Sequence, residues 1–97
     1  MAAITHEDNG INGRFLVNEN GEDLAQMVYI WSGTDKIIIE HTEVDERLKG
    51  QNIGTQLLNE LVGWVRSKNI KIIPVCPFAK AVMEKKAEAY KDVMYHH

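Results

Sequence analysis

The chain has 97 residues, of which 44% are hydrophobic and 26% charged, and its formal net charge is −3 at pH 7. This length predicts a single domain over residues 1–97, and the acidic balance argues against a nucleic-acid partner, because binding to phosphates needs a basic surface. No apolar run approaches ~18 residues, so no membrane span is expected.

The first half of the chain predicts three antiparallel strands. Residues 13–19 are expected to form the first strand, and the Asn20-Gly21 pair that follows is a strong hairpin signal, because both residues tolerate positive φ. Residues 24–31 end in β-branched and aromatic side chains, and residues 36–44 are the most strand-like stretch of the sequence. The first ~10 and last ~3 residues show no such pattern and are expected to be peripheral.

The second half predicts a helix and a further strand. From Ile53 to about Ser67, apolar residues recur at helical spacing, and Asn69 suits the left-handed position that follows a helix. Residues 70–76 form a short apolar run typical of a buried parallel strand. Because Pro74 cannot donate a hydrogen bond within a sheet, an edge, a bulge or a splayed strand is expected there.

A second helix is expected from Pro77, which suits a first helical turn, through the segment FAKAVMEKKAEAYKDV. Its apolar stripe would contain Phe78, Val82 and Met83. The strand–helix–strand unit over residues 36–76 predicts two parallel strands joined by a right-handed crossover. The predicted fold class is therefore α/β, with a mixed sheet of about four strands (an antiparallel meander plus one parallel strand) and two helices.

The polar stretch between the strand ending at Val44 and the helix beginning at Ile53 has the composition of an anion-binding loop. The first four amides of a helix lack intrahelical partners, and the helix dipole adds positive charge there. Gly50 and Gly54 lack the Cβ atoms that would keep a phosphate away from those amides. The residues that would add charge or a hydroxyl to such a pyrophosphate site are Arg47, Lys49 and Thr55.

Gly50 and Gly54 do not fit the two common nucleotide-binding motifs. A Walker loop needs a Lys-Ser/Thr pair after its last glycine, whereas Gly54 is followed by Thr-Gln. A dinucleotide fingerprint needs three glycines at fixed spacing and an acidic residue about 20 positions later, which this chain lacks. The simplest alternative to an anion site is that both glycines serve only a turn and close packing, and the residues of the loop alone do not decide between the two.

The stretch RLKGQN, residues 47–52, resembles the Arg/Gln-x-x-Gly-x-Gly/Ala signature of the GNAT superfamily of acyl-CoA-dependent N-acyltransferases. The following IGTQLL resembles the usual helix start of that superfamily. Over most of residues 12–95, the elements IEHTEV and IIPVCPFAKAVMEK resemble a very small GNAT-like family with a Cys-Pro-Phe or Cys-Ser-Phe element, which is a truncated GNAT domain. One position departs from the signature, since Asn52 replaces glycine or alanine. Asparagine tolerates the unusual φ of such a loop, and the sequence leaves open whether its side chain crowds the pyrophosphate and weakens cofactor binding.

The resemblance implies that acetyl-CoA or another acyl-CoA is the cosubstrate, and no metal is expected. The pyrophosphate would lie on amides from about Lys49 to Thr55, and the pantetheine arm between the strands ending at Val44 and Cys76. The implied acceptor is an amine of a small molecule or a protein, and the sequence identifies neither it nor the oligomeric state. The cofactor-binding residues implied are Val44, Arg47, Lys49, Gly50, Gln51, Asn52, Ile53, Gly54, Thr55 and Phe78.

Cys76 is the first catalytic candidate. As the single cysteine it excludes an internal disulfide and a cysteine-rich zinc site, and it favours a reducing, cytoplasmic location. It lies at the end of the predicted parallel strand, where open α/β sheets place their ligands. It is therefore a candidate nucleophile for an acyl-cysteine intermediate, or a thiol that lines the pantetheine channel. The alternative is a small apolar core residue.

His41 and Glu43 form a second pair of catalytic candidates. If the third predicted strand alternates regularly, both share a face with Ile37 and Ile39, while Thr42 points the other way and is structural. A histidine paired with a carboxylate at a strand end suits a general base, or a polar network that orients the cysteine. The alternative is a core histidine bonded to the backbone.

Together these patterns predict an acyl-CoA-dependent N-acetyltransferase that acts on an unidentified amine, assisted by Cys76. One alternative is a CoA-binding module without catalysis, which Asn52 and the lack of acceptor-side elements would suit. Another is an interaction domain whose glycines are only structural. Binding of CoA separates the last alternative from the other two, and acetyl transfer separates the enzyme from the silent module.

Overall fold

The computed structural model describes residues 3–95 and shows a mixed α/β fold. The strands are β1 (Thr5–Asp8), β2 (Asn12–Glu19), β3 (Glu22–Ser32), β4 (Lys36–Val44) and β5 (Lys71–Pro74). The helices are α1 (Ile53–Lys68), α2 (Pro77–Lys85) and α3 (Ala87–Tyr90), and a 3-10 turn spans Glu46–Leu48. One sheet has the order β1-β2-β3-β4-β5, antiparallel except for the parallel pair β4–β5. The predicted fold class is confirmed, with one strand and one helix more than expected.

The additional strand, β1, lies among the first ten residues, which the sequence pattern treats as peripheral. Three of its four residues are exposed, so no apolar alternation marks it as a strand. It nevertheless pairs antiparallel with β2, with Asp8 opposite Gly13. Of the last three residues, also expected to be peripheral, Tyr95 donates its amide to the Ile72 carbonyl (3.0 Å), whereas His96 and His97 lie outside the described residues.

The expected second helix is in fact two helices. α2 ends at Lys85, and Lys86 takes a non-helical conformation (φ −116°, ψ 46°) before α3 begins. The residues around this break, EKKAEA, are good helix formers, so local propensity predicts no interruption. The change of direction brings Tyr90 and Val93 into the hydrophobic core. Burial of these two side chains outweighs the local helical preference.

Two local predictions are confirmed. Asn69 follows α1 in the left-handed conformation (φ 59°), and its amide donates to carbonyl groups at the end of that helix. Pro74 ends β5, which is the edge strand of the sheet. Both results follow from backbone chemistry, because asparagine tolerates positive φ and proline cannot donate within a sheet.

None of the helices described within residues 3–95 combines the length and the hydrophobicity that a membrane-spanning helix needs.

The alternation of β4 is interrupted by a bulge. At Glu40 the pairing between β3 and β4 shifts by one residue, so this residue is an insertion in β4. Beyond the bulge, Thr42 turns toward the core side of the sheet, whereas His41 and Glu43 are exposed on the outer face. The prediction that His41 and Glu43 share a face with the preceding isoleucines is therefore wrong, as is the predicted direction of Thr42. The reason is that period-two counting assumes an unbroken ladder.

A hydrogen-bonded group connects β1 to β3 across β2. Gly13 of β2 lies between Asp8 on one side and Tyr29 on the other. Because Gly13 has no side chain, the Tyr29 hydroxyl reaches over it, donates to Asp8 Oδ2 (2.5 Å) and lies 2.7 Å from His6 Nε2. Trp31 Nε1 donates to the same carboxylate (2.8 Å). Burial, reinforced by Asp8, raises the pKa of Tyr29 well above its usual value, so the hydroxyl stays protonated.

Stability is expected to fall in mildly acidic solution because of His6. Burial lowers the pKa of His6 below its ordinary value of 6.5, an effect that Asp8 partly offsets. The fold therefore favours the neutral ring, and this stabilisation is present above the unfolded pKa and is lost as the pH falls through the folded one. Urea unfolding at about pH 5 should give a free energy ~0.5 kcal/mol lower than at about pH 7, allowing for solvent screening. His6→Gln should remove this difference; an unchanged difference would contradict the assignment.

Candidate functional site

A cavity of about 350 Å³ opens where the end of β4 meets the loop 45–52 and the starts of α1 and α2. Thr42 and Leu48 line it but were not among the predicted contacts. Leu48 is the only apolar residue of the loop 45–52, a signal that could have marked it as the buried anchor of the loop. Three predicted contacts, Arg47, Gln51 and Thr55, do not line the cavity. Those that do are Val44, Lys49, Gly50, Asn52, Ile53, Gly54 and Phe78.

The start of α1 carries unpaired backbone amides. Gly50 (φ 86°) and Asn52 (φ 59°) take left-handed conformations, which occur in the N–H concavities that bind anions. The amides of Lys49 and Gln51 instead donate to carbonyl groups of the 3-10 turn, so the expected continuous run of amides is interrupted at two positions. Within the hydrogen bonds of residues 3–95, no partner is found for the amides of Gly50, Asn52, Ile53, Gly54 and Thr55.

Both cations of the loop are paired with nearby carboxylates. Arg47 Nη2 lies 2.7 Å from Glu22 Oε1, and Arg47 Nε lies 2.9 Å from Asp45 Oδ1. Hydrogen bonds from the Arg47 side chain and then from its amide lower the pKa of Asp45 to about 2. Lys49 Nζ lies 3.1 Å from Glu46 Oε1. In this arrangement Arg47 does not project its charge toward the cavity, and the attraction for an anion comes mainly from the amides and the helix dipole.

The Phe78 ring forms one side of the cavity and packs on Gly54. A Cβ added to Gly54 would lie 2.9 Å from Phe78 Cζ and 3.1 Å from Cε2. Of the predicted apolar stripe, Met83 is buried and Val82 partly buried, whereas Phe78 remains 37% exposed. Gly54 is therefore needed for the close contact between the two helix starts, and Phe78 belongs to the lining of the cavity.

Cys76 lies just behind the cavity surface. It is 2% exposed, and its amide donates to the Ile39 carbonyl (2.8 Å), which fixes the start of α2 against β4. Its Sγ is 3.3 Å from Thr42 Oγ1. Thr42 lines the cavity and Cys76 does not. Thr42 is thus the polar side chain that connects the thiol with the cavity, and it was missed because the bulge at Glu40 cannot be read from the sequence.

His41 and Glu43 lie on the outer face of the sheet. His41 Nε2 is 3.2 Å from Glu43 Oε1, and both side chains are more than half exposed. Glu43 also accepts a hydrogen bond from Gln26 Nε2 (2.8 Å), a residue of β3 on the same face. The structure therefore brings Cys76 together with Thr42 and does not bring it together with the histidine–glutamate pair.

Comparison with known proteins identifies relatives of the whole chain. The model of a family described as GCN5-related N-acetyl-transferase matches residues 14–93. A GCN5-like protein from Staphylococcus aureus, solved by NMR, is 32% identical with a TM-score of 0.73 over 100% of this chain and 93% of that one. A ribosomal-protein-alanine N-acetyltransferase from Brucella melitensis biovar Abortus 2308 shares the fold at 14% identity, with a TM-score of 0.60 over 92% of this chain and 65% of that one. An aminoglycoside N-acetyltransferase in complex with CoA shares the fold at 11% identity, with a TM-score of 0.52 over 92% of this chain and 71% of that one. No curated protein matches the chain significantly by sequence.

The matched segment includes every residue that lines the cavity. Residues 14–93 run from β2 past the end of α3, so the loop, the bulged strand and the start of α2 all belong to the family pattern. The similarity to the Staphylococcus aureus protein extends over the complete chain. The chain therefore belongs to the GCN5-related N-acetyltransferase (GNAT) superfamily of acyl-CoA-dependent enzymes.

Proposed function

We propose that the protein binds acetyl-CoA with the pyrophosphate at the start of α1 and transfers the acetyl group to an amine. The observation that carries this proposal is the set of unpaired amides at Gly50 and residues 52–55, beside a cavity of about 350 Å³. Amides at a helix N-terminus, with glycines that allow close approach, are a suitable site for a pyrophosphate. Membership of an acetyl-CoA-using family supports the choice of ligand.

The shape of the cavity supports a direction for the bound thioester. The cavity extends from the amides past Val44 to Thr42 near the end of β4. A pantetheine arm that follows this path would place the thioester beside Thr42, and Cys76 Sγ lies 3.3 Å from the Thr42 hydroxyl. Rotation of one side chain would then bring the thiol to the acetyl group.

In the proposed reaction, Cys76 carries the acetyl group from the thioester to the amine. The thiol loses its proton to water, the thiolate attacks the thioester carbonyl, and a new S–C bond forms as the bond to the CoA sulfur breaks. The CoA thiolate leaves and takes up a proton. A neutral amine then attacks the acetyl-cysteine, the Cys76 thiolate leaves as the N–C bond forms, and the proton of the amine passes to water. Because the thiol is 2% exposed, this route requires a rotation of Cys76 or Thr42.

The acceptor in this proposal is an amine of a small molecule or a protein. His41 and Glu43 face away from the cavity, so they would act as a base only for an amine that approaches from the outer face of the sheet. Direct attack of the amine on the thioester, without Cys76, is the competing route. The two routes differ in one observable product, the acetylated cysteine.

Calorimetric titration with CoA and acetyl-CoA tests the binding step. Absence of a signal at about millimolar ligand would overturn the proposal, because the proposed reaction requires acetyl-CoA to bind.

Intact-mass measurement after incubation with acetyl-CoA tests the chemical step. We expect one added acetyl group that is absent in Cys76→Ser and that is lost when an amine is added. Binding without any mass change or CoA release across a panel of amines would instead indicate a CoA-binding module without catalysis.

The two loop cations are expected to differ in their effect on CoA binding. Lys49 lines the cavity, whereas Arg47 is held by two carboxylates away from it. We expect Lys49→Ala to weaken CoA binding about fivefold and Arg47→Ala less than about twofold. Calorimetry on the two variants checks this. An equal loss of CoA affinity in the two variants would contradict this expectation and show that the Arg47 side chain breaks its ion pairs with Glu22 and Asp45 when CoA binds.

A further inference from the structure

Among the described residues, the side chain of Thr42 has one hydrogen-bond partner, the thiol of Cys76. Within residues 3–95, the contact between Thr42 Oγ1 and Cys76 Sγ at 3.3 Å is the only side-chain hydrogen bond of either residue. The hydroxyl is partly buried and lies in the surface of the cavity, between the thiol and the space expected to hold the thioester. The bulge at Glu40 creates this arrangement, because regular alternation would turn Thr42 to the outer face.

The chemistry of this contact changes when the thiol ionises. In the neutral pair either group can donate, since a thiol and a hydroxyl each carry one proton. A thiolate can only accept, so the Thr42 hydroxyl must then donate to it. A hydrogen bond to the charged form stabilises that form. The contact is therefore a charge-assisted hydrogen bond whenever the sulfur is ionised.

We propose that Thr42 is a positioning residue for Cys76: its hydroxyl donates to the thiolate and holds Sγ against the cavity. This inference rests on the proposed function, in which Cys76 is the nucleophile. Thr42 makes no bond to the acetyl group in the reaction; it holds the sulfur beside the cavity until Cys76 rotates to attack. The competing role is that Thr42 only fills space beside a core cysteine.

The substitutions Thr42→Val and Thr42→Ser separate these two roles. Valine keeps the branched shape and removes the hydroxyl, whereas serine keeps the hydroxyl and removes the methyl group. A space-filling role predicts that valine is the milder change. A positioning role predicts that valine is the more severe change for the thiolate and that serine rescues it.

The test is the rate at which iodoacetamide alkylates the cysteine of the folded protein at neutral pH. Because Cys76 is the single cysteine, the difference from a Cys76→Ser counterpart isolates its signal. We expect Thr42→Val to slow alkylation about tenfold, the size expected for one hydrogen bond to a charged group, and Thr42→Ser to restore the rate. Identical rates in the wild type and Thr42→Val would overturn the inference, and so would a failure of serine to restore the rate. Circular dichroism identifies a variant that does not fold, in which case Thr42→Ala replaces Thr42→Val.

A second measurement distinguishes this inference from the proposed function. At saturating acetyl-CoA, where a change in CoA affinity no longer affects the rate, Thr42→Val should acquire the acetyl group at least about tenfold more slowly than the wild type at neutral pH. Unchanged acetylation of Thr42→Val would overturn the role of Thr42 and leave the transferase proposal intact. Absence of CoA binding in the wild type would overturn the transferase proposal, while the alkylation rate would still report on the contact between Thr42 and Cys76.

Discussion

Replacing Gly13 by alanine is expected to lower the free energy of unfolding by about 3 kcal/mol. A Cβ at this position would lie 2.5 Å from the backbone oxygen of Glu7 and 2.6 Å from Tyr29 Cζ. The backbone of β1 cannot shift without breaking its pairing with β2. Moving the Tyr29 ring would break its hydrogen bonds with Asp8 and His6 and leave a buried hydroxyl without a partner. Both ways of relieving the clash are costly.

Gly63→Ala is the matched control for this prediction. Gly63 lies within α1, and a Cβ there meets no heavy atom within 4 Å. Because alanine is the better helix former, this variant should be more stable than the wild type by ~0.5–1 kcal/mol. Urea unfolding followed by tryptophan fluorescence measures all three proteins. A loss below about 1 kcal/mol for Gly13→Ala would show that β1 and β2 can shift to accommodate the methyl group.

Replacing Gly54 by alanine is expected to weaken CoA binding about tenfold while leaving the fold intact. The added Cβ would lie 2.9 Å from Phe78 Cζ, and a ring that is 37% exposed can move aside. The ring then shifts within the cavity that both residues line, and the space beside the unpaired amides changes shape. Calorimetric titration with CoA gives the change in affinity, and thermal unfolding shows that the variant is folded.

A double-mutant cycle with Phe78→Ala separates displacement of the ring from a direct effect of the methyl group. If the ring is responsible, Gly54→Ala should lower the affinity for CoA about tenfold when Phe78 is present and less than about threefold when Phe78 is replaced by alanine. An equal loss of affinity in the two backgrounds would contradict the prediction, because the methyl group would then act on the bound pyrophosphate itself. Gly63→Ala again serves as the control, since it lies in the same helix with open space around its added Cβ.

Local signals allowed much of the candidate site to be predicted. The loop between Val44 and Ile53 could be read as an anion site because glycine, asparagine and a helix start act through their own backbone conformations. Gly50 and Asn52 take positive φ as their chemistry allows, and α1 begins at Ile53 as the apolar spacing indicates. Seven of the nine residues that line the cavity were therefore among the predicted contacts.

Interactions between distant segments were not predictable in the same way. Arg47 reads as a free cation, but one of its two carboxylate partners, Glu22, is 25 positions away on the β2–β3 hairpin. Two long side chains become neighbours only when the loop after β4 folds beside that hairpin. A sequence pattern does not reveal such a pair, so the positive charge that Arg47 offers to a ligand was overestimated.

By itself, the sequence determined the fold class, the position of the loop that carries the unpaired amides and the family, because each depends on residues that act within a few positions of one another. The tertiary structure decided which side chains meet at the site. The bulge at Glu40 is a property of the paired strands β3 and β4, and it turns Thr42 inward and His41 outward. A shift of one residue in a ladder reverses every side chain beyond it, so the partner of Cys76 was set by strand pairing and not by any residue type in the motif.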